Sequence, residues 1–319
     1  MATYFAGSSY DALVPSLANT SDGADFVSIG GGGYVDAYVT DPADGLRKGV
    51  KRLWSHVTSS SADYGPSNGL VMYSWLNAAG KEIVRFPNLN GGRAFQILQP
   101  DNSWKTYGEI QNSRSGTYDF LIVVHPTAGR LAWFFNGNLA VDLRNIDTSA
   151  IGDVARFRLQ RMQDYVGGTT HQGILLASYN TIGHTVRRRA PNANGSRMTW
   201  SGSFADVDDT GNDDTNAISA STVGDLATFK ASAFTPTTAG NVIKAVAVAA
   251  RIRNYGDVIP TNARAILSIG GQDFQAPTNM PITAGFAGSV ALFENDPTTG
   301  KPWTDIANVN GEFGLLAIE

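Results

Sequence analysis

The residues able to do chemistry in this chain are few. His56, His125, His171 and His184 are the only histidines, and cysteine is absent. Thiolate nucleophiles, disulfides and Cys-ligated metals are therefore excluded. No pair of histidines stands in an H-x-H or H-E-x-x-H spacing, and no G-x-S-x-G elbow occurs. A Ser-His-Asp triad converges in space rather than in sequence, so spacing alone does not exclude one. The simpler reading is turn or surface histidines. The densest acidic cluster is Asp206, Asp208, Asp209, Asp213 and Asp214. Its DVDDTG opens like an EF-hand loop, but the fifth ligand position is Thr210 and the twelfth is Ala217, where a bidentate Glu is needed. It is a solvated acidic loop or a Ca²⁺ loop of another kind. Arg187-Arg188-Arg189 could meet an acidic partner surface or phosphate. Three charges give little affinity in a chain of net charge −4, so pairing with Asp206–Asp214 or with a neighbouring subunit is expected instead. Glycosidase chemistry needs two carboxyls on one cleft. Glu82, Glu109 and Glu294 are available, with nothing in the sequence to pair them. Trp75, Trp104 and Tyr107 are the candidates for stacking on the C–H face of a sugar, while Trp133 is expected in a core. No catalytic residue, metal ligand or cofactor is expected.

The elements that carry these residues are strands. Thr117–Asp147 holds three apolar runs: Tyr118–Val124, Arg130–Phe135 and Leu139–Leu143. The first is continuous, as in a strand covered on both faces. The third alternates, with Leu139, Val141 and Leu143 opposite Ala140, Asp142 and Arg144, as in a half-buried strand. Asn136-Gly137 between the second and third is a strong two-residue hairpin signal. The three form an antiparallel meander that must bury one face on a second sheet. Upstream, Phe26–Ile29 and Tyr34–Val39 flank four glycines. A phosphate loop must open a helix, and YVDAYV is a strand pattern, so a hairpin turn is expected there. Asp41–Lys51 has room for one helical turn. Arg52–Thr58, Leu70–Leu76, Glu82–Phe86, Phe95–Leu98 and Trp104–Ile110 read as short strands separated by turn clusters. Ala155–Met162 and Gly173–Tyr179 follow, and Arg156, Arg158 and Arg161 make one face of the former basic. Ile182–Asp225 is polar and poor in periodic apolar residues, as a junction would be. Beyond it, Leu226–Lys230, Val242–Arg253, Ala265–Ile269, Asp273–Gln275, Gly288–Phe293 and Phe313–Ile318 read as strands of a second core, with Val242–Arg253 as its spine.

The 319 residues suffice for about two domains. Charged residues are 16%, against about 25% in ordinary soluble domains, and 35 glycines accompany frequent Ser, Thr and Asn. The composition is that of an all-β, turn-rich protein. The expectation is two β-sandwich, jelly-roll-like domains in tandem, residues 1–185 and 186–319. An acidic balance argues against specific nucleic-acid binding. No run approaches the roughly 18 apolar residues of a membrane span, and MATYFAGSSYDALVP lacks the features of a signal peptide.

Two resemblances add to this. The strand, Gly turn and Phe134-Phe135-Asn136-Gly137 sequence resembles the back-sheet hairpin of laminin-G/concanavalin-like sandwiches. The order PNANG (191–195), TWSG (199–202), VDD (207–209), DDT (213–215), IKAV (243–246), NDPTTGKPWT (295–304) and EFGL (312–315) is similar to a recurrent C-terminal module of tailed-bacteriophage and phage-like particle structural proteins. These resemblances imply a non-enzymatic virion protein on a phage head or tail, assembled in the host cytoplasm. The implied partners are other virion proteins and further copies of the chain, as a homo-oligomer, with a trimer implied by analogy with phage appendages. The alternative is a carbohydrate-binding adhesion module that recognises host surface glycans. A polysaccharide-degrading enzyme is disfavoured by the missing catalytic signature.

Overall fold

A computed structural model describes residues 1–9, 12–15, 20–22, 27–29, 33–61, 69–89, 92–110, 115–160, 169–208, 214–235, 242–254, 260–280 and 282–319. The chain is all-β and forms two sandwich units. The first comprises chiefly Leu13–Asp41 and Arg47–Val186, and the second chiefly Arg187–Glu319. Among the described residues, helix is confined to the single turns Ser149–Ile151, Phe204–Asp206 and Ile306–Val309, none long enough to cross a membrane.

The strands of the first unit are β1 (Thr3–Gly7), β2 (Val14–Pro15), β3 (Thr20–Asp22), β4 (Val27–Ile29), β5 (Tyr34–Tyr38), β6 (Arg52–Ser61), β7 (Val71–Leu76) and β8 (Glu82–Leu89). They continue as β9 (Gly92–Leu98), β10 (Trp104–Ile110), β11 (Gly116–Val123), β12 (Gly129–Phe135), β13 (Asn138–Ile146), β14 (Arg156–Gln160) and β15 (Thr169–Ala177). One sheet runs β13-β12-β11-β6-β15-β4-β3, with β1 also on β15; the other runs β10-β9-β8-β7-β14-β5-β2. Pro15 sits in an edge strand, where a missing N–H costs no ladder bond.

The meander forms as its sequence implies. Asn136 and Gly137 take φ of 49° and 80°, the left-handed pair of a I′ turn, and join β12 to β13 with Phe135 opposite Asn138. Strand β11 alternates between two covered faces. Tyr118 and Phe120 enter the space between the sheets, where they meet Tyr73, Trp75, Phe86, Phe95, Trp133 and Phe157. Phe86 and Trp133 pack edge to face at 4.9 Å, and Trp75 and Phe120 at 5.0 Å. Aromatic pairs in this geometry add to the burial of their area. Leu121 faces the other way, onto Trp54 and Ala132, with Ile182 packed over them. The third run differs from its expectation. Leu139 is 54% exposed and no residue of β13 is buried, because β13 is the sheet edge.

Three other expectations are corrected. The segments around the glycine run do not pair: β4 joins β3 and β15, while β5 joins β2 and β14 in the other sheet. The chain crosses between layers there; residues 30–32 themselves lie outside the described ones. No helical turn forms at 41–51, where Thr40–Arg47 and Val50–Val154 make isolated bridges. The polar stretch 182–225 is not wholly a linker, because it contains a strand, Pro191–Met198.

That strand is β16. The second unit continues with β17 (Leu226–Ala231), β18 (Val246–Ile252), β19 (Asn262–Ile269), β20 (Gln272–Met280), β21 (Ala287–Phe293) and β22 (Glu312–Ile318). A five-stranded sheet, β16-β17-β22-β19-β20, and a β18-β21 pair bury Val248, Ile252, Ala265, Leu267, Met280, Phe293 and Trp303 between them. Val242–Arg253 is thus a strand over 246–252, and its 246/248/250/252 face joins the core. Gly314 of β22 has a backbone reason to be glycine: a Cβ there would lie 1.8 Å from the Ala227 carbonyl oxygen of β17.

Candidate functional site

Two polar clusters of the first unit invite comparison with a catalytic site. His56 Nδ1 lies 2.8 Å from Asp119 Oδ1, which also accepts from the Thr181 hydroxyl at 2.7 Å. Ser59 Oγ lies 2.7 Å from both His171 Nδ1 and the Tyr73 hydroxyl. All of these side chains are buried. They do not form one triad. His56 and Ser59 are three residues apart on β6, so they point to opposite faces of the sheet. His56 faces outward under Thr181, while Ser59 faces the core. Burial lowers the His171 pKa to about 4, so the ring is neutral at pH 7, and its Nε2 lies 3.2 Å from the Gln160 carbonyl. Both clusters tie strands together. The expectation of surface histidines is corrected for His56 and His171, and is right for His125. Its Nδ1 accepts from the amides of Thr127 and Ala128 at 3.1 and 2.8 Å, closing the β11–β12 turn.

A different set of residues converges on the outer face of the second sheet. Register carries one residue from each of six neighbouring strands into a transverse row: Thr106 opposite Gln96, Gln96 opposite Arg85, Arg85 opposite Ser74, Ser74 opposite Arg158, and Arg158 opposite Asp36. Their neighbours at ±1 belong to the core: Phe95, Val84, Phe86, Tyr73, Trp75, Phe157, Leu159, Val35 and Ala37 are fully or almost fully buried. The strand period thus forces the polar row outward. Its members are hydrogen-bonded along the row. Gln96 Nε2 donates to Thr106 at 3.0 Å, and Arg85 Nε donates to Gln96 Oε1 at 2.5 Å. Gln160, beside the row, donates to Ser74 at 3.0 Å. Arg158 grips Asp36 through two bonds of 2.7 and 2.8 Å. Burial opposes the charge on Arg158, but the Asp36 carboxylate outweighs it and holds the guanidinium above its ordinary pKa.

Aromatic rings line the row at both ends. Arg85 lies over Trp104 at 4.1 Å, Arg158 over Tyr34 at 3.7 Å, and Arg47 over Tyr38 at 3.6 Å. These are cation–π distances. Trp104, Tyr34, Tyr38, Arg85 and Arg158 all retain partial exposure. The surface is a flat, preorganised array of planar hydrogen-bonding groups and rings.

The three stacking candidates separate. Trp104 belongs to this face. Trp75 does not: it is fully buried, and its indole N–H donates to Ser55 at 2.9 Å, so no ring face is open to a ligand. Tyr107 points the other way from Trp104. With Lys105, Ile97, Pro100, Ile146 and Ile151 it lines a separate cleft of about 280 Å³ between the two sheet edges. Trp133 is in the core. The Arg156 and Arg158 alternation was the sequence signal for the row; Arg161 lies outside the described residues. Asp36, Ser74, Arg85 and Gln96 carried no signal, because only sheet register brings them together.

The charged motifs of the second unit are used internally. Arg189 does not pair with Asp206–Asp214. It donates to the carbonyls of Ser232, Val309 and Ala231 at 2.7, 2.9 and 3.3 Å. Asp206 accepts from the Ser203 amide at 2.8 Å, capping a single turn, and Asp214 takes two bonds from Arg251 at 2.7 and 2.8 Å. Asp209, Thr210 and Asp213 lie outside the described residues. Among the described residues no three His, Asp or Glu side chains are grouped to hold a metal. Glu82 and Glu294 fall in different units, and the Glu109 side chain lies outside the description.

No protein-family model matches the chain, and no curated protein does. Solved structures share its layered β form at low similarity. The receptor binding domain of botulinum neurotoxin D matches with a TM-score of 0.38 and 8% identity, over 53% of this chain and 45% of that one. The corresponding domain of the mosaic serotype C/D toxin matches over 98% and 97%, with a TM-score of 0.37 and 10% identity. Sheep galectin-11 matches with a TM-score of 0.30 and 10% identity, over 44% of this chain and 96% of that one. The chain spans under half of the first of these.

Proposed function

We propose that the first unit binds carbohydrate on the outer face of its second sheet. The observation that carries this reading is the six-strand polar row from Thr106 to Asp36 with Trp104, Tyr34 and Tyr38 beside it. A sugar presents hydroxyls that donate and accept on adjacent carbons, and a C–H face that stacks on aromatic rings. The partly exposed Arg85 and Arg158 offer forked donors and Thr106 a hydroxyl, and the rings supply apolar area at low entropic cost. The side chains hold one another in place before any ligand arrives, which lowers the ordering cost of binding. A glycan array probed with the full chain tests this. Binding to a defined set of glycans, lost in Trp104→Ala and retained in Leu139→Ala, is expected. An array with no glycan retained would overturn the reading, as would an unchanged Trp104→Ala profile.

For the second unit the favoured role is scaffold and assembly. Its motif NDPTTGKPWT is spent on structure. Asp296 accepts from the Thr298 amide and hydroxyl at 2.9 and 2.7 Å and from Asn308 at 2.8 Å, and buried Trp303 donates to the Phe293 carbonyl at 2.9 Å. The resemblance of this motif to a module of phage structural proteins is what favours a structural protein of a phage or phage-like particle that carries the glycan-binding unit. Mass spectrometry of purified particles tests that setting; absence of the chain from intact particles would remove it.

A further inference from the structure

Four guanidiniums, Arg47, Arg85, Arg156 and Arg158, share this sheet face with two carboxylates, Asp36 and Glu82, although the whole chain has a net charge of −4. The imbalance is concentrated around Tyr38. Asp36 is 3% exposed, and both of its oxygens are taken by Arg158. Arg156 reaches Asp36 only at 3.7 Å and lies 4.9 Å from the centre of the Tyr38 ring. Arg47 lies over the same ring at 3.6 Å, and among the described residues no carboxylate stands within ion-pair distance of it. The nearby Lys48 and Asp41 pair with each other and leave the balance unchanged. Two cations are thus gathered over one tyrosine, and among the described residues the adjacent carboxylate, Asp36, is already committed to Arg158.

Resting on the carbohydrate reading of this face, we propose that Arg47 and Arg156 form an anion subsite that takes the acidic group of a glycan, a uronate-type carboxylate or a sulfate ester. A guanidinium matches either oxyanion with two parallel N–H···O bonds, and Tyr38 supplies a stacking surface beside it. The two guanidiniums oppose one another's charge. The Arg47 guanidinium is held below its ordinary pKa, first by burial and also by the field of Arg156, while Tyr38 and Asp36 act in the opposite direction. A ligand oxyanion would relieve the repulsion between the two arginines and leave the Arg158–Asp36 pair intact. The neutral part of the glycan would then lie along the row toward Gln96 and Trp104.

The test compares matched ligands: an oligogalacturonate, its methyl ester, and a sulfated galactan with its desulfated form, each titrated calorimetrically against the wild-type chain, Arg47→Gln and Arg156→Gln. Circular dichroism checks that both variants fold, and Trp104→Ala serves as the control for the rest of the face. The inference predicts tenfold or greater preference for the acid over its neutral counterpart in at least one pair, falling with added salt and abolished in both arginine variants. Which pair shows the preference identifies carboxylate or sulfate. Equal affinity for charged and neutral partners, with loss only in Trp104→Ala, would overturn the anion subsite and leave the carbohydrate face standing. Acid preference unchanged in Arg47→Gln and Arg156→Gln would overturn the placement. Failure of the wild-type chain to bind any glycan, here and on the array, would overturn both.

Discussion

The two outer faces of the N-terminal sandwich are built on sheets of similar size and differ in what covers them. On the first sheet, Trp54, Leu121 and Ala132 are apolar, and Ile182 packs over them. Two polar groups there, His56 and Asp119, are sealed beneath Thr181, and toward the β13 edge Arg130, Asp142 and Arg144 pair with one another. On the second sheet the same outward positions carry Thr106, Gln96, Arg85, Ser74, Arg158 and Asp36; Thr106, Arg85 and Arg158 keep part of their surface in solvent, while Gln96, Ser74 and Asp36 are buried beneath their neighbours. Polar groups sealed from water mostly find partners within the protein, as His56 Nδ1 and Asp119 Oδ1 do. A polar group at a partly open surface can exchange water for ligand. Polar residues on a sheet can meet a ligand only where nothing covers them. The His56–Asp119 pair has catalytic chemistry and no access, whereas Arg85, Arg158 and Thr106 of the row stay partly open to solvent.

Substitutions should separate the two faces, beginning with the tryptophans. Trp75→Ala opens a cavity among Phe95, Phe120 and Phe157 and should cost about 3–5 kcal/mol, read as a large drop in the chemical-denaturation midpoint. Asp119→Ala strands His56 and Thr181 on the sealed face and should cost about 3 kcal/mol without altering the glycan profile of a folded protein. The core histidine gives a pH signature. The folded His171 pKa is about 4 against an ordinary 6.5, so between these values the unfolded chain takes up a proton that the folded chain does not. Stability contributed by neutral His171 is full above pH 6.5 and is lost as pH falls toward 4, by roughly 3 kcal/mol in all. Unfolding midpoints measured across this range should fall with acidity, and His171→Gln should flatten that slope. The smallest stability effect belongs to the open face: Trp104→Ala should change stability by about 0.5 kcal/mol or less while removing glycan binding.

Much of the architecture was legible from particular residues. Asn136-Gly137 announced its hairpin because only a few residue types accept two successive positive φ values. The unbroken Tyr118–Val124 run announced a strand covered on both sides. The alternation Val246, Val248, Ala250, Ile252 gave the core face of β18. What was not legible depended on pairing across long separations. The glycine run between Ile29 and Tyr34 looks like a hairpin locally, but each flanking strand finds better partners in a different layer. Leu139, Val141 and Leu143 alternate as buried residues do, but the strand ends up at an edge. Of the site, Trp104 and the Arg156/Arg158 alternation were visible. Asp36, Ser74, Arg85 and Gln96 are ordinary polar residues in alternating strands until register aligns them. Trp75 and Trp104 are indistinguishable as residue types; they differ in which side of the pleat each occupies.

Hydroxyl-radical footprinting of the chain with and without a glycan identified on the array tests the central claim most directly, because it reads ring exposure residue by residue. The account predicts ligand-dependent protection of Trp104, Tyr34 and Tyr38 on the second sheet, with Leu139 and Phe134 on the first unchanged. Protection at Leu139 and Phe134, with Trp104, Tyr34 and Tyr38 labelled as in the free chain, would contradict it.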